Sequence, residues 1–208
     1  MYFCIEMKKN LPPFSVVIPA AGYSDRMGMP KLLLPFGHHT FCEEIFMRYH
    51  LAGARKIVFV INQPLLSPCL KLFPNHTNKP DFIINKTPLM GRYKSIMIGL
   101  SCIPDNLPCF LQNSDNPLVN ESVLIKLLSE SNPDCTAIPV FKNRNGHPVL
   151  IGTNIIKNLL KCTMPDANLR IELQKYNTKK IEVSTADILL NINTPEDYKE
   201  IFGGNISK

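Results

Sequence analysis

Short, unbroken apolar runs alternate along this chain with stretches in which apolar residues recur at helical spacing. Ser15–Ile18 reads as a buried strand stopped by Pro19, and Ile57–Ile61 (IVFVI) has the β-branched and aromatic make-up of a strand covered on both faces. Phe82–Ile84, Cys109–Leu111, Thr136–Val140, Pro148–Ile151, Lys180–Val183 and Ile188–Leu190 are further strand candidates. Thr40–Leu51 predicts a helix opened by a capping box, because Thr40 and Glu43 can each satisfy a backbone donor of the first turn. Tyr93, Ile96, Met97 and Leu100 fall on one helical face. Helices are also expected at Leu65–Phe73, Glu121–Ser129, Asn154–Lys161 and Ala167–Tyr176. The last one opens at Thr194–Pro195, with threonine as N-cap and proline at the first helical position.

Strand–helix alternation of this kind predicts the α/β class: a three-layer α/β/α, Rossmann-like arrangement around a mostly parallel sheet. Asn143–Ile151 interrupts the alternation through the turn residues Asn143–Gly146 and is expected to add a small antiparallel edge. At 208 residues the chain suits a single domain (1–208), with 1–13 as a flexible N-terminal extension. Ligands of open sheets lie at the carboxyl ends of the strands, so the loops after Ile18, Leu111 and Leu190 are where chemistry is to be sought.

Composition narrows the classes. Hydrophobic residues make up 45% and charged residues 19%, enough for a sizeable core. No run approaches the ~18 apolar residues of a membrane span, and Met1–Asn10 lacks the apolar stretch of a secretion signal. A cytoplasmic location is expected. The 7 cysteines are scattered without a C-x-x-C pair, which reads as free thiols rather than a zinc site. A net charge of +6 suits anionic ligands, but no basic stripe or module argues for nucleic acid.

The loop after the first strand carries the candidate chemistry. Ala20, Ala21 and Gly22 lack bulk, so backbone N–H groups can approach a ligand and form an anion-binding concavity. Arg26 and Lys31 add two cations, which together make a triphosphate cradle. A P-loop is excluded because the chain contains no Gly-Lys pair. The dinucleotide fingerprint is absent too: only Gly22 and Gly28 are present and the second strand ends in Asn62–Gln63, which argues against a nicotinamide dehydrogenase.

The whole string A-A-G-x-S-x-R-M-G-x-x-K-L-L-L-P, from Ala20 to Pro35, resembles the signature of the MobA-like nucleotidyltransferases, particularly the molybdenum cofactor cytidylyltransferases. The resemblance continues in order. Asn85, Gly91, Ser95 and Gly99–Leu100 look like the family's base- and ribose-reading segment, with Arg92–Tyr93 standing where the family often has Met after the glycine. Gln112–Val119 (QNSDNPLV) is similar to its D-x-P loop, with Asp115 at the metal-binding aspartate. Gly146–His147–Pro148–Val149 resembles an acceptor-side G-H-P-V segment, in which His147 is either an acceptor contact or an ordinary turn histidine. Asn191–Tyr198 resembles the D-I-D-T-P-E-D-Y ending, except that Asn191 and Asn193 replace both early aspartates. An amide carbonyl can bind Mg2+ but brings no charge.

The resemblance implies a fold of the nucleotide-diphospho-sugar transferase type and transfer of CMP from CTP to a phosphorylated acceptor, with molybdopterin or molybdenum cofactor foremost and pyrophosphate released. It implies catalytic roles for Arg26, Lys31 and Asp115. It further implies nucleotide binding by Ala20, Ala21, Gly22, Ser24, Arg26, Lys31, Asn85, Gly91 and Ser95, and Mg2+ held by Asp115 and Asn193. Onward partners would be molybdoenzyme maturation proteins. A sugar or polyol phosphate acceptor, and a non-catalytic nucleotide-binding relative, stay open as readings.

Overall fold

The computed structural model describes residues 11–74, 79–161 and 168–203. Most of the expected N-terminal extension, Cys4, Cys162 and the expected helix start at Ala167 lie outside the described residues. In chain order the strands are β1 (Ser15–Ala20), β2 (Pro35–Phe36), β3 (His39–Thr40), β4 (Lys56–Ile61), β5 (Asp81–Ile84), β6 (Cys109–Leu111), β7 (Cys135–Phe141), β8 (Arg144–Asn145), β9 (Val149–Ile151) and β10 (Asn177–Glu182). The α-helices are α1 (Phe41–Leu51), α2 (Leu66–Lys71), α3 (Gly91–Leu100), α4 (Glu121–Ser129), α5 (Thr153–Lys161), α6 (Leu169–Leu173) and α7 (Pro195–Phe202). No helix among the described residues is long and apolar enough to cross a membrane.

The main sheet runs β10-β7-β9-β6-β1-β4-β5, with β8 paired to β7, and β2 and β3 form a separate antiparallel hairpin. β1 is central and parallel to both β4 and β6. Side chains alternate across the sheet as strand geometry requires. Val16, Ile18, Ile57, Phe59 and Ile61 join one core with α1 and α4, whereas Val17, Val58 and Val60 join another with α3 and α5. The expected three layers are therefore present. The capping box of α1 also forms, Thr40 Oγ1 accepting from Glu43 N at 3.3 Å and Glu43 Oε2 accepting from Thr40 N at 2.8 Å.

Three expectations need correction. The antiparallel element is not an edge: β9 lies inside the sheet, pairing antiparallel with β6 on one side and β7 on the other. Val149, Leu150 and Ile151 are all buried, so that strand needs cover on both faces, and β10 takes the edge instead. Ile188–Leu190 is not a strand, because Ala186–Leu189 forms a 3-10 turn capped by Thr185. Its carbonyls find partners outside a ladder, Asp187 O accepting from Asn116 Nδ2 (2.7 Å) and Ile188 O from His147 N (2.9 Å). The Ala167–Tyr176 helix shortens to α6, capped by Asn168, whose side chain accepts from Arg170 N.

Helix α3 lies unusually close to β1. A Cβ on Gly99 would sit 2.4 Å from Val17 Cγ1 and 3.1 Å from Val60 Cγ2. In an open helix Gly99→Ala would gain about 1 kcal/mol of helical preference. Here the added methyl overpacks the buried contact, and the expected net loss is about 1–2 kcal/mol. It should be read as a lower urea midpoint at unchanged m; a midpoint at or above wild type would contradict the close packing.

Candidate functional site

The chain leaves β1 for β4 and β5 on one side, then returns through α3 to β6 on the other. The loops following β1 and β6 therefore diverge and open a crevice at the switch point, the ligand position of open α/β sheets. The β1 loop is held at both ends. At its start, buried Asn62, at the end of β4, donates from Nδ2 to Ala21 O (3.2 Å) and accepts from Leu65 N. Farther on, Ser24 and Gly28 take left-handed backbone (φ 56° and 72°), tightening the turn and sending Met27 inward against Phe41, Ile192 and Tyr198. Gly22, Asp25 and Arg26 are left exposed between the anchors. Buried Leu32 and Leu34 then seat Lys31 beside the crevice.

A buried glutamine shapes the second loop. Gln112, directly after β6, accepts from Tyr49 Oη (2.9 Å) and donates to the carbonyls of Asn113 (2.9 Å) and Asn116 (2.8 Å). These bonds fold residues 113–116 into the turn that carries Asp115. The carboxyl-terminal segment joins through Ile192 N, which donates to Asp115 O (3.0 Å). Asp197 fixes the start of α7 by accepting at Oδ2 from the N–H groups of Asn193 (2.8 Å) and Thr194 (3.0 Å), bonds that hold its carboxyl below the usual range. Tyr198 Oη completes the docking by donating to Pro35 O (3.0 Å).

These three segments meet at one ammonium. Lys31 Nζ donates to Asp115 Oδ2 (3.3 Å) and to Asn193 Oδ1 (2.7 Å), while Asp115 Oδ1 is buried without a hydrogen-bond partner among the described residues. The cavity beside them is about 450 Å3. Of the residues singled out in the sequence, it is lined by Ala20, Ala21, Gly22, Ser24, Arg26, Lys31, Gly91, Ser95, Asp115 and Asn193. Asn85 does not reach it. That side chain is 1% exposed, donates to Ser95 Oγ (2.9 Å) and accepts from Thr87 N (2.8 Å), so it braces Ser95 from behind. The lining also includes Asp25, Arg92, Asn113 and Ser114, which sequence reasoning did not assign. Asn113 and Ser114 belong to the same QNSDNPLV string and could have been drawn from it; Arg92 stood out only as a departure.

The model of the MobA-like NTP transferase domain matches residues 16–179, spanning the central strands and both loops of the crevice. The chain belongs to the MobA-like NTP transferases. This MobA-like chain is 25% identical over 185 residues to the molybdenum cofactor cytidylyltransferase of Escherichia coli (strain K12), covering 88% of the chain and 92% of that protein. To the molybdenum cofactor guanylyltransferase of Xanthomonas euvesicatoria pv. vesicatoria (strain 85-10) it is 23% identical over 199 residues, 93% and 96% of the two chains. Among solved structures, Rv0371C of Mycobacterium tuberculosis H37Rv in complex with manganese shares the fold, with TM-score 0.72, 16% identity, and coverage of 92% and 98%.

A second, larger cavity of about 1050 Å3 adjoins the first in this MobA-like fold. Its floor is apolar, with Leu111, Ile138 and Val149, and His147 sits in its wall with Nδ1 buried and without a hydrogen-bond partner among the described residues. Burial, reinforced by the positive charge of Arg92 and opposed by Asp115, lowers the His147 pKa to about 4. The unfolded chain therefore takes up this proton near pH ~6.5, whereas the folded protein resists until about 4. The contribution of His147 is fully present above the higher value and is lost as pH falls through this window. A His147→Gln variant should show a shallower rise of unfolding free energy between pH 4.5 and 7 in urea titrations; an unaltered slope would place the imidazole in solvent.

Proposed function

We propose that this chain transfers CMP from CTP to a phosphorylated small molecule, molybdopterin or its molybdenum-bearing form, and releases pyrophosphate. The observation that carries the reading is the convergence of Lys31, Asp115 and Asn193 beside the Ala20–Arg26 turn, in a cavity built at the switch point of the sheet. In this reading the turn's backbone amides, Arg26 and Lys31 bind the polyphosphate, and Ser95, braced by Asn85, faces the nucleoside. Gly22 leaves room for that approach, since a Cβ there would meet nothing within 4 Å. The Ala20-Ala21-Gly22 opening supports CTP over GTP, because each added methyl narrows the space beside the base.

The donor set suits Mg2+ only in company with phosphate oxygens. No group of three His, Cys, Asp or Glu comes together among the described residues. Asp115 supplies one carboxylate, with Oδ1 unclaimed, and Asn193 one amide oxygen. Mg2+ characteristically takes one or two protein oxygens and completes its shell with phosphates and water. When bound, it would offset phosphate charge and hold the polyphosphate in place. The manganese complex of the Mycobacterium tuberculosis relative supports a divalent ion in this fold. Lys31 would then exchange Asp115 for phosphate.

In this reading the transfer needs no general base. A phosphate monoester has its second pKa near ~6 and arrives as the dianion. The residues align two anions and offset charge as the new bond forms. The amide at Asn193, where the family's ending carries Asp, favours one further reading: a nucleotide-binding relative that does not turn over. CTP binding without pyrophosphate release, given excess Mg2+ and molybdopterin, would support that reading.

A pyrophosphate-release screen over four nucleoside triphosphates with molybdopterin should single out CTP, which should also raise the melting temperature more than GTP does. Lys31→Ala and Asp115→Ala should each lower turnover by about 10²–10³-fold with circular dichroism unchanged. Near-normal release by either variant would remove its role.

A further inference from the structure

The two cavities meet at the start of α3, and the residues that line both are Gly91 and Arg92. Arg92 is thus the charged side chain at the junction among the described residues. It is held there by Asn113, whose Oδ1 accepts from Nη2, and Asn113 is itself buried in the turn that carries Asp115. Asp115 on one side and His147 on the other both lie within electrostatic reach of the guanidinium. The larger cavity has two more cations in its wall, Arg170 and Lys180, and no Asp or Glu among its described lining residues. Its chemistry is that of a pocket for an anion with an apolar body.

Nucleotidyl transfer makes a particular demand at such a junction. An oxygen of the acceptor phosphate must form a bond to the α-phosphorus while the bond from that phosphorus to the bridging oxygen breaks and its electron pair leaves with pyrophosphate. Two highly charged anions therefore meet where the cavities join, and their repulsion must be offset there. We propose that Arg92 grips the acceptor's phosphate and holds it in the passage between the cavities, facing the α-phosphorus. This rests on the nucleotidyl-transfer reading given above. A guanidinium is well matched to that role, because it has five donors in a planar fork, of which Asn113 occupies one. It can engage two phosphate oxygens while a third remains free to attack. An ammonium would supply charge without the fork.

The test is steady-state pyrophosphate release with CTP and molybdopterin varied separately, in wild type, Arg92→Met and Arg92→Lys. Arg92→Met should raise the KM for molybdopterin by about 10- to 100-fold, the loss of a charge-assisted pair. The KM for CTP and the CTP-induced rise in melting temperature should stay near wild type. Arg92→Lys should fall between the two, and its retained charge guards against a variant that merely misfolds. If molybdopterin is inert and erythritol 4-phosphate turns over, the same split is expected with that acceptor. An unchanged acceptor KM in both variants, or a rise in the KM for CTP as large as that for acceptor, would overturn the assignment of Arg92. Wild type releasing no pyrophosphate under any of these conditions would instead remove the transfer reading itself, and the assignment with it.

Discussion

Lys31 is separated by 84 residues from Asp115 and by 162 from Asn193, yet its ammonium touches both. The contact ties the loop after the central strand to the loop after β6 and to the segment entering the last helix. Its side chain and that of Asp115 are only 16% and 19% exposed, so the pair gives up much of its hydration and the Coulomb gain is largely offset. What it chiefly fixes is geometry: a positive centre with one full negative charge and one neutral oxygen beside it. An anion or divalent ion entering here would meet a charge arrangement that is already assembled and partly desolvated.

The scaffold around that contact is made of neutral amides. Gln112 folds the turn at 113–116, Asn62 fixes the Ala21 carbonyl, Asn116 reaches the 186–189 turn, and Asn85 braces Ser95. All four are buried. Buried amides are costly unless their donors and acceptors are matched, and here the matching partners are mostly loop backbone that no strand or helix satisfies. The same bonds thus allow irregular segments to be buried and give each a defined shape. Because these groups are uncharged, they do so without adding net charge to the cavity.

Much of this was readable in the sequence. The capping box at Thr40, the N-cap at Thr194, the buried strands and the clustering of small residues with Arg26 and Lys31 after β1 depend on near-neighbour spacing, which a linear string displays directly. Two of the misreadings share a cause. β9 and the Ile188–Leu190 stretch are both short and apolar, and which one joins the sheet depends on partners far along the chain. Periodicity cannot separate a strand from an apolar turn whose carbonyls are claimed by Asn116 and His147. Arg92 escaped assignment for a related reason. Its significance comes from standing between two cavities, and nothing in its neighbours along the chain announces that position.

The reversal of direction at β9 places its first residue, Val149, opposite the last residue of β6, Leu111. One wall of the larger cavity therefore grows from the hairpin that precedes β9, where Lys142 and Asn143 turn the chain with positive φ. That hairpin lies outside the β1–β4 and β1–β6 ladders, so its length can drift without disturbing their register. Lengthening or shortening the segment before β9 would therefore reshape the broader chamber, whose wall holds Asn145, Gly146 and His147, and leave the turn beyond the central strand in place.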